Sequence, residues 1–328
     1  EAAIDRYLNG TLDDLYDPML LKDMERAVSI LCEAVDTGKK IRIVGDYDID
    51  GVCSTYILLQ AFERLGSDVD FEIPDRIKDG YGINESIIEQ AHADGVEVIL
   101  TCDNGISAFH QVELAKKYGM TVVITDHHEV PLDGEKEKIP PADAVIDPKQ
   151  ADCPYPFPEI CGAVVAYKLV QVLYARRGVP QMEWLDLLEF AAIATVGDVM
   201  KLQDENRILV KYGLKKMAQT KNLGLRRLAE KNNLDLGAIT AYHIGFVIGP
   251  CLNAGGRLKT AKEALALLRA QSEEEAERLA EELKELNDTR KDMTEQGTEA
   301  AKLQVESWYQ KDKVLVVFLP ECHESLAG

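Results

Sequence analysis

The 328-residue chain lacks an apolar run of the ~18 residues that a membrane-spanning helix needs. No secretory hydrophobic segment follows its N-terminus. Its seven cysteines are scattered and include no Cys-x-x-Cys pair, which argues against a disulfide framework or a structural zinc site. These absences predict a protein of the reducing cytoplasm that has no membrane contact.

Positive charge is also scarce, with 37 basic residues against 57 acidic ones and a net charge of −20. Because phosphate binding depends on Lys and Arg, this total argues against a uniformly basic nucleic-acid-binding protein. The deficit is uneven, since residues 201–262 hold twelve basic and four acidic side chains, a net charge of +8. Such a stretch fits either a local track for a single strand or solvated helix faces.

Two common nucleotide-binding motifs are missing. No Gly-x-x-x-x-Gly-Lys-Ser/Thr loop occurs, which disfavours a P-loop NTPase, and no Gly-x-Gly-x-x-Gly follows a strand, which disfavours a dinucleotide-dependent oxidoreductase. The remaining composition, 46% apolar and 29% charged, is that of a folded protein. The length predicts a sizeable core divided between two domains.

The first half of the chain alternates short apolar strands with helices. An N-terminal helix is predicted over 11–38, and later helices over 54–65, 85–94 and 107–118. Strands are predicted at 41–45, 69–73, 96–101, 121–125 and 144–146. Strands that are apolar on both faces are typical of an α/β fold, with a parallel β-sheet flanked by helices. Ligands bind at the carboxyl ends of the strands in such sheets.

The second half is mainly helical and follows a Pro-rich connection at 153–158. We predict a first domain over 1–270, whose helical subregion spans about 150–270. A long charged segment over 271–312 is typical of a connecting helix. Residues 313–328 begin with the first strand of a second domain. Both ends of the chain are interpreted as boundaries within a larger protein.

The first strand runs directly into the aspartates Asp46, Asp48 and Asp50, followed by Gly51. A solvated acidic turn would account for these carboxylates if they stood alone. Asp48 and Asp50 alternate, so in extended backbone their side chains point the same way, and Gly51 permits a tight turn into the next helix. Because carboxylate oxygens suit Mg²⁺ or Mn²⁺, the pattern predicts ligands for a hard divalent cation.

Two later strands and one helix end in side chains of the same kind. The third strand runs into Asp103, and the fourth into the adjacent pair His127 and His128. A helical run further on ends at Asp198. Gathered at one edge of the sheet, these groups predict a site for two divalent ions. Two neighbouring ions can activate one water and stabilise the attacking and leaving oxygens of phosphoryl transfer.

These motifs resemble the DHH phosphoesterase superfamily. Asp-Tyr-Asp-Ile-Asp-Gly at 46–51, Asp-Asn-Gly at 103–105 and Asp-His-His at 126–128 follow one another on successive strands, as in that superfamily. The stretches 74–82, with Gly-Tyr-Gly, and 249–258, with Asn-Ala-Gly-Gly-Arg, are similar to motifs of its RecJ branch. The resemblance covers nearly the whole chain and implies a DHH domain followed by the start of a DHHA1 domain.

The resemblance also implies roles for the matching positions. Asp48 would hold the first metal ion, Asp50 the second, and Asp103 would bridge both. His127 and Asp198 would complete the second ion's ligands. His128 and Asp103 are the implied catalytic residues, and His128 would face the scissile phosphate. The residues implied in substrate binding are Arg76, Tyr81, Asn253, Gly255, Gly256 and Arg257.

Three positions depart from the resemblance. Val44 stands where some members carry a metal-binding His, so Asp46 is a further candidate ligand. Cys251 stands where RecJ sequences commonly carry Arg, which puts one phosphate contact in doubt. Residues 323–328 match the family's His-x-Gly-Val motif only loosely.

The implied function is 5′→3′ hydrolysis of single-stranded DNA to 5′-mononucleotides with two Mn²⁺ or Mg²⁺ ions, in DNA repair and recombination. Implied partners are single-stranded DNA, a single-strand-binding protein and a helicase. Two alternatives stay open: a DHH phosphodiesterase acting on short oligoribonucleotides or cyclic dinucleotides, and an inactive nucleic-acid-binding relative. Manganese pyrophosphatase is a weaker rival, because the early His is missing.

Overall fold

The computed structural model describes residues 2–76, 80–308, 313–320 and 322–323. The strands are β1 Ile41–Val44, β2 Val69–Glu72, β3 Val98–Cys102, β4 Thr121–Thr125, β5 Leu132–Asp133, β6 Lys136–Glu137 and β7 Ala144–Ile146. Five of them form one parallel sheet in the order β2-β1-β3-β4-β7, while β5 and β6 pair as a separate antiparallel hairpin. The α/β class and the five predicted strands are confirmed.

Helices cover both faces of this sheet and make up the second half of the chain. They are α1 Ala2–Asn9, α2 Met24–Thr37, α3 Ile49–Arg64, α4 Glu85–Ala93, α5 Phe109–Lys117, α6 Gly162–Arg176, α7 Gln181–Leu185, α8 Leu188–Gly197, α9 Asp204–Met217, α10 Leu223–Lys231, α11 Ala241–His243, α12 Gly249–Leu258, α13 Lys262–Arg269 and α14 Glu273–Trp308. A π-helical turn, Ile244–Ile248, joins α11 to α12. Within the described ranges, none of these helices combines the length and apolar character needed to span a bilayer.

Alternate strand residues supply two hydrophobic clusters on opposite faces of the sheet. Ile43 and Leu100 pack with α2, α3 and α6 on one face, while Val44 and Ile99 pack with α4 and α5 on the other. Cys102 is buried in the first cluster, as expected for a small strand residue. Because both faces are filled with apolar side chains, the polar groups of the sheet are concentrated at the strand ends.

The predicted helix over 11–38 is wrong in its first part. Helix α2 begins only at Met24, and the preceding residues form two short 3₁₀ turns, one of which is Pro18–Leu20. Asp23, at the N-cap, has a φ of 61°, a left-handed conformation that cannot continue a helix backwards. The apolar spacing of residues 11–23 therefore reflects packing of an irregular segment.

The long helix α14 is packed along its first half. Leu279, Ala280 and Leu283 are buried in the hydrophobic cluster on the α3 side of the sheet. Residues 313–319, predicted as a strand, form no strand within the described part of the chain. Residues 309–312, 321 and 324–328 lie outside the described residues, so the proposed start of a second domain stays a prediction.

Candidate metal centre and phosphate cavity

The acidic residues meet where the strand order reverses. β1 has β2 on one side and β3 on the other, so connections leave the sheet in opposite directions at the carboxyl ends of β1 and β3. Asp46 follows β1, Asp103 follows β3, and Asp126 follows β4. The topology therefore brings three strand ends together at one crevice.

The segment after β1 differs from its prediction. Helix α3 begins at Ile49 rather than at residue 54, so Asp48 is its N-cap and Asp50 lies in its first turn. The Asp48 Oδ1 accepts hydrogen bonds from the backbone N–H groups of Asp50 and Gly51, both at 3.0 Å. Asp48 has the extended backbone that was inferred for it, but Asp50 is helical, because capping by a short carboxylate starts the helix earlier.

Asp50 is fixed by the N-terminus of α6. Its Oδ2 accepts a hydrogen bond from the Gly162 backbone N–H at 2.6 Å, and its Oδ1 accepts one from Ala163 at 2.7 Å. A helix N-terminus carries partial positive charge and favours an anionic side chain. Gly162 is required by close approach, since a Cβ there would lie 2.7 Å from the Asp103 Cβ. No sequence pattern predicted that α6 contributes to the site.

Asp103 lies at the centre of the cluster, and it is 2% exposed. Its φ of 61° is left-handed, a conformation that Asp adopts more readily than most residues. Its Oδ1 lies 3.1 Å from the His127 Nε2, but the two atoms are not aligned as a hydrogen bond. Asp103 Oδ1 and His127 Nδ1 are thus buried without a hydrogen-bond partner among the described residues.

Three overlapping groups of side chains bring potential ligand atoms within 4.8 Å of one another. They are Asp46, Asp48 and Asp103; Asp50, His127 and Asp198; and Asp103, His127 and His128. The His127 Nε2 lies 3.4 Å from Asp50 Oδ2 and 3.8 Å from Asp198 Oδ2. All five residues predicted as metal ligands, together with Asp46, are therefore in one cluster, with Asp103 shared between groups.

The electrostatics of this cluster fit bound cations. Burial, and then the charges of Asp50 and Asp48, raise the pKa of Asp103 well above its usual value. Burial and Asp48 raise the pKa of Asp46 to about 7, and burial and Asp50 raise that of Asp198 to about 7. Carboxylates held this close resist ionisation unless a positive charge lies between them. Unpartnered oxygens facing an imidazole provide the donor set that Mn²⁺ or Mg²⁺ would accept.

His128 lies beside this cluster and is held by two neighbours. Its Nδ1 donates a hydrogen bond to Asp126 Oδ1 at 2.7 Å, and the Tyr81 hydroxyl lies 3.0 Å from the same nitrogen. The Tyr81 hydroxyl also donates to the backbone carbonyl of Asp103 at 2.9 Å. Burial opposes the charged imidazole, but the hydrogen bond to Asp126 raises the pKa of His128 to about 9. A cationic side chain therefore borders the acidic cluster.

A cavity of about 270 Å³ opens next to the acidic cluster. It is lined by Tyr47, Asp48, Ile49, Arg76, Gly197, Asp198, Asn253, Gly256 and Arg257. The Arg76 guanidinium lies over the Tyr47 ring, 5.1 Å from its centroid. Residues 77–79 of the Gly-Tyr-Gly stretch lie outside the described residues. Of the residues predicted to bind substrate, Arg76, Asn253, Gly256 and Arg257 share this cavity with two of the acidic residues.

The two glycines predicted in the substrate rim differ in position. Gly256 lines the cavity, and its closest approach is to the Tyr47 carbonyl, which leaves no room for a side chain. Gly255 is buried, and a Cβ there would lie 2.7 Å from the Thr260 carbonyl oxygen. Gly255 thus packs against the loop that leads into α13 and does not line this cavity.

Arg290 is a cavity residue that the sequence analysis missed. A second cavity of about 190 Å³ is lined by Gly197, Gly245, Gly249, Pro250, Asn253, Arg257 and Arg290. Burial, and then the charges of Arg76 and Arg290, lower the pKa of Arg257. Three guanidinium groups thus converge next to the acidic cluster. Arg290 lies in a helix that is charged along its whole length, so no local pattern distinguishes it.

The two departures from the family pattern have structural counterparts. Val44 is buried among apolar side chains, and Asp46 is the additional carboxylate near Asp48 and Asp103. Cys251 is buried between α12 and α14, where its Sγ accepts a hydrogen bond from Asn287 at 3.5 Å. A side chain at position 251 therefore faces α14 and lies outside the cavity next to the metal ligands.

Comparisons with known proteins identify relatives of this chain. Residues 40–195 match the model of the DHH family, N-terminal domain. The single-stranded-DNA-specific exonuclease RecJ of Bacillus subtilis is 39% identical over 304 residues, which cover 93% of this chain and 37% of the relative. The protein of the same name from Escherichia coli is 36% identical, over 94% of this chain and 55% of the relative.

A crystal structure of exonuclease RecJ bound to manganese superposes with a TM-score of 0.82 and 33% identity. The match covers 94% of this chain and 75% of that one. The chain spans between 37% and 55% of the length of the two curated relatives.

Proposed function

Because the chain belongs to the DHH family, in its RecJ branch, we propose that it is the catalytic part of a metal-dependent 5′→3′ exonuclease. Its substrate would be single-stranded DNA, hydrolysed to 5′-mononucleotides in DNA repair and recombination. The observation that carries the proposal is the adjacency of two features: the acidic cluster around Asp103 and the arginine-lined cavity that shares Asp48 and Asp198 with it.

The acidic cluster offers two sets of ligands for divalent ions. Asp46, Asp48 and Asp103 would hold the first ion, and Asp50, His127 and Asp198 the second, with Asp103 shared. Two such ions would supply Lewis acidity that activates water and offsets the charge on phosphoryl oxygens. A relative whose crystal structure superposes with a TM-score of 0.82 is bound to manganese, which supports Mn²⁺ as the first ion to test.

His128 is proposed to contact the scissile phosphate. Asp126 holds its Nδ1 and thereby fixes the orientation of the imidazole ring. The half-exposed imidazole would then use Nε2, which lies 3.3 Å from the Tyr81 hydroxyl, to donate a hydrogen bond or a proton to a phosphate or leaving oxygen. Tyr81 contacts both His128 and the Asp103 backbone, so it would keep these two residues at a fixed distance from each other.

The arginine-lined cavity is proposed to bind the substrate backbone. Guanidinium groups contact phosphate oxygens through paired N–H donors, and three of them converge here from Arg76, Arg257 and Arg290. The Asn253 Oδ1 is buried without a hydrogen-bond partner among the described residues, so it can accept one from substrate or water. The cavity would thus hold a phosphate beside the metal ligands.

The domain organisation and the partners belong to the same proposal. Residues 1–270 would form the DHH domain, 271–312 the connection, and 313–328 the beginning of a DHHA1 domain that grips substrate. A single-strand-binding protein and a helicase are proposed partners in the cytoplasm. The seven cysteines, none of which forms a disulfide in the structure, are consistent with that reducing compartment.

The test is degradation of 5′-labelled single-stranded DNA by the full-length protein with Mn²⁺. We expect release of labelled mononucleotide, abolished by Asp103→Ala and unaffected by Asp133→Ala, an exposed carboxylate in the hairpin. Activity that persists in Asp103→Ala would contradict the shared-ligand assignment. Faster turnover of dinucleotides than of long single strands would instead favour the alternative phosphodiesterase, and absent Mn²⁺ binding would favour an inactive relative.

A further inference from the structure

Two exposed aromatic rings lie on the helix that borders the cavity of about 190 Å³. That cavity shares Gly197, Asn253 and Arg257 with the arginine-lined cavity. Tyr242 and Phe246 are 64% and 68% exposed, and their rings stack with centroids 4.8 Å apart and planes inclined by 27°. Large rings of this kind normally bury most of their surface. Their spacing of four residues puts both on one side of the helix, which contains the π-helical turn Ile244–Ile248. Such turns occur frequently at functional sites.

The position of the pair is set by its neighbours along that helix. Gly245 and Gly249 line the cavity of about 190 Å³ that also contains Arg257 and Arg290. Gly245 directly precedes Phe246, so the ring lies within one helical turn of residues that line the cavity. Asp198, one of the metal ligands, follows Gly197, which lines the same cavity. The aromatic pair is therefore next to the proposed phosphate site.

A groove lies on the other side of the pair. It has a volume of about 320 Å³ and is lined by Leu202, Arg207, Val210, Lys211, Leu214 and Ala241. Ala241 directly precedes Tyr242, so the groove reaches the start of the helix that carries the aromatic pair. Lys211 and Lys215 each lie over the Tyr212 ring, 5.5 Å and 4.7 Å from its centroid. Cationic and aromatic groups thus alternate along this surface.

The positive charge of residues 201–262 is concentrated on this side. Many of its basic residues are neutralised elsewhere: Lys216 and Lys221 by Asp186, Arg226 and Arg227 by Glu273, Lys231 by Glu277 and Glu281, Lys259 by Glu263, and Lys262 by Glu72. By contrast, Lys201, Arg207, Lys211 and Lys215 form no ion pair within the described part of the chain. Arg207 and Lys211 donate hydrogen bonds to the backbone carbonyls of Tyr7 and Gly10, which leave their charge unneutralised.

We propose that Tyr242 and Phe246 form a stacking platform for the bases of single-stranded DNA. The strand would pass from the arginine-lined cavity over the two rings and into the α9 groove. Proteins that bind single strands combine a basic groove with exposed aromatic rings, because every base offers a face for stacking. This inference rests on the proposed nuclease function and adds the path that the strand takes beyond the metal centre.

Charge favours a nucleic-acid strand over an apolar protein partner as the occupant of this surface. The helix that carries the rings borders a cavity with Arg257 and Arg290 and a groove with Arg207 and Lys211. A ligand that covers the rings must therefore also accommodate positive charge at both ends. A polyanion that carries flat aromatic groups meets both requirements.

The test compares Tyr242→Ala and Phe246→Ala with the wild type in the full-length protein. Fluorescence anisotropy with a labelled 20-nucleotide oligothymidylate in EDTA, which prevents hydrolysis, gives the dissociation constant. We expect each substitution to raise it about tenfold, because stacking on one ring contributes that much. Tyr242→Phe keeps the ring and should bind as the wild type does. With Mn²⁺, kcat/KM should fall on the long strand and stay unchanged on a dinucleotide.

Tyr118→Ala is the matched control. Tyr118 is also exposed, and its ring stacks on His92 with centroids 4.3 Å apart. It precedes β4 and therefore lies at the amino-terminal ends of the strands, away from the metal ligands. Its substitution should leave DNA affinity unchanged. Wild-type DNA affinity in both ring variants would overturn the platform, even if their melting temperatures were lowered. An equal loss of kcat/KM on the dinucleotide and on the long strand would overturn it as well. If the wild type neither binds nor degrades single strands, the proposed function fails as well.

Discussion

The acidic cluster and the arginine-lined cavity share a wall but are built in opposite ways. The cluster consists mainly of short side chains that follow strands β1, β3 and β4, with Asp198 added from the end of α8, and backbone N–H groups hold several of them. The cavity collects long guanidinium side chains from a loop, from α12 and from α14, over a sequence separation of more than two hundred residues. The first is rigid and local, and the second depends on tertiary packing.

This difference separates two kinds of contribution to one reaction. The short carboxylates have little rotamer freedom, so they can hold like charges close together at fixed positions. The arginines reach the substrate through flexible stems, and their effect depends on α14 packing against α10 and α12. We therefore expect changes in the cluster to affect the chemical step, and changes in the cavity to affect substrate affinity.

Asp50→Asn should have the largest effect. Losing one carboxylate charge from the second ligand set should lower kcat on single-stranded DNA about a thousandfold or more, with little change in KM. The measurement is steady-state hydrolysis with saturating Mn²⁺, and Asp133→Asn in the hairpin is the control for a carboxylate elsewhere. A variant with near-normal kcat would show that the cluster is not the reaction centre.

Arg257→Ala should mainly raise KM, by about 10- to 100-fold, because a charge-assisted contact to phosphate is lost. Arg257→Lys should recover little of this, since an ammonium cannot make the paired contact. Arg290→Ala should act in the same direction with a smaller effect, and each substitution should reduce the salt dependence of binding. An unchanged KM together with a large loss of kcat would contradict the assignment of substrate affinity to the cavity and of the chemical step to the cluster.

Gly162→Ala tests how closely α6 supports the cluster. The added Cβ would approach the Asp103 side chain to 2.7 Å, so either α6 or Asp103 must shift. We expect about 1–3 kcal/mol lower stability and about tenfold weaker Mn²⁺ binding, measured by thermal unfolding and calorimetric titration. Gly178→Ala, in open space at the end of the same helix, controls for the substitution itself, although its φ of 67° adds some strain. Normal Mn²⁺ affinity in Gly162→Ala would contradict this contact.

The Glu189 carboxyl tests how far burial, rather than a cluster of like charges, raises a pKa in this protein. Burial raises the pKa of its carboxyl to about 7 from an ordinary 4.5, although it lies outside the acidic cluster. The folded state then binds more protons than the unfolded state between these values, so stability should fall as the pH rises from 4.5 to about 7. We expect this carboxyl to contribute a loss on the order of 1–3 kcal/mol, so stability should fall by that much less in Glu189→Gln than in the wild type. Identical pH profiles for the two proteins would contradict the raised pKa.

The same contrast explains what could be predicted from the sequence. Asp103, His127 and His128 directly follow apolar strands, so the parallel sheet alone predicts that they meet. The local backbone at Asp48 and Asp50 was not predictable from alternation, because an N-cap and an extended strand both suit an aspartate after a strand. Gly162 and Arg290 were missed because their roles come from packing between distant helices, which leaves no local pattern.

The account's central claim is that the cluster holds two divalent ions with Asp103 between them. Anomalous diffraction from crystals soaked in Mn²⁺ tests it most directly. Two peaks are predicted, one among Asp46, Asp48 and Asp103 and the other among Asp50, Asp103, His127 and Asp198. The absence of anomalous density at these side chains, or two peaks that persist unchanged in Asp103→Asn, would contradict the account.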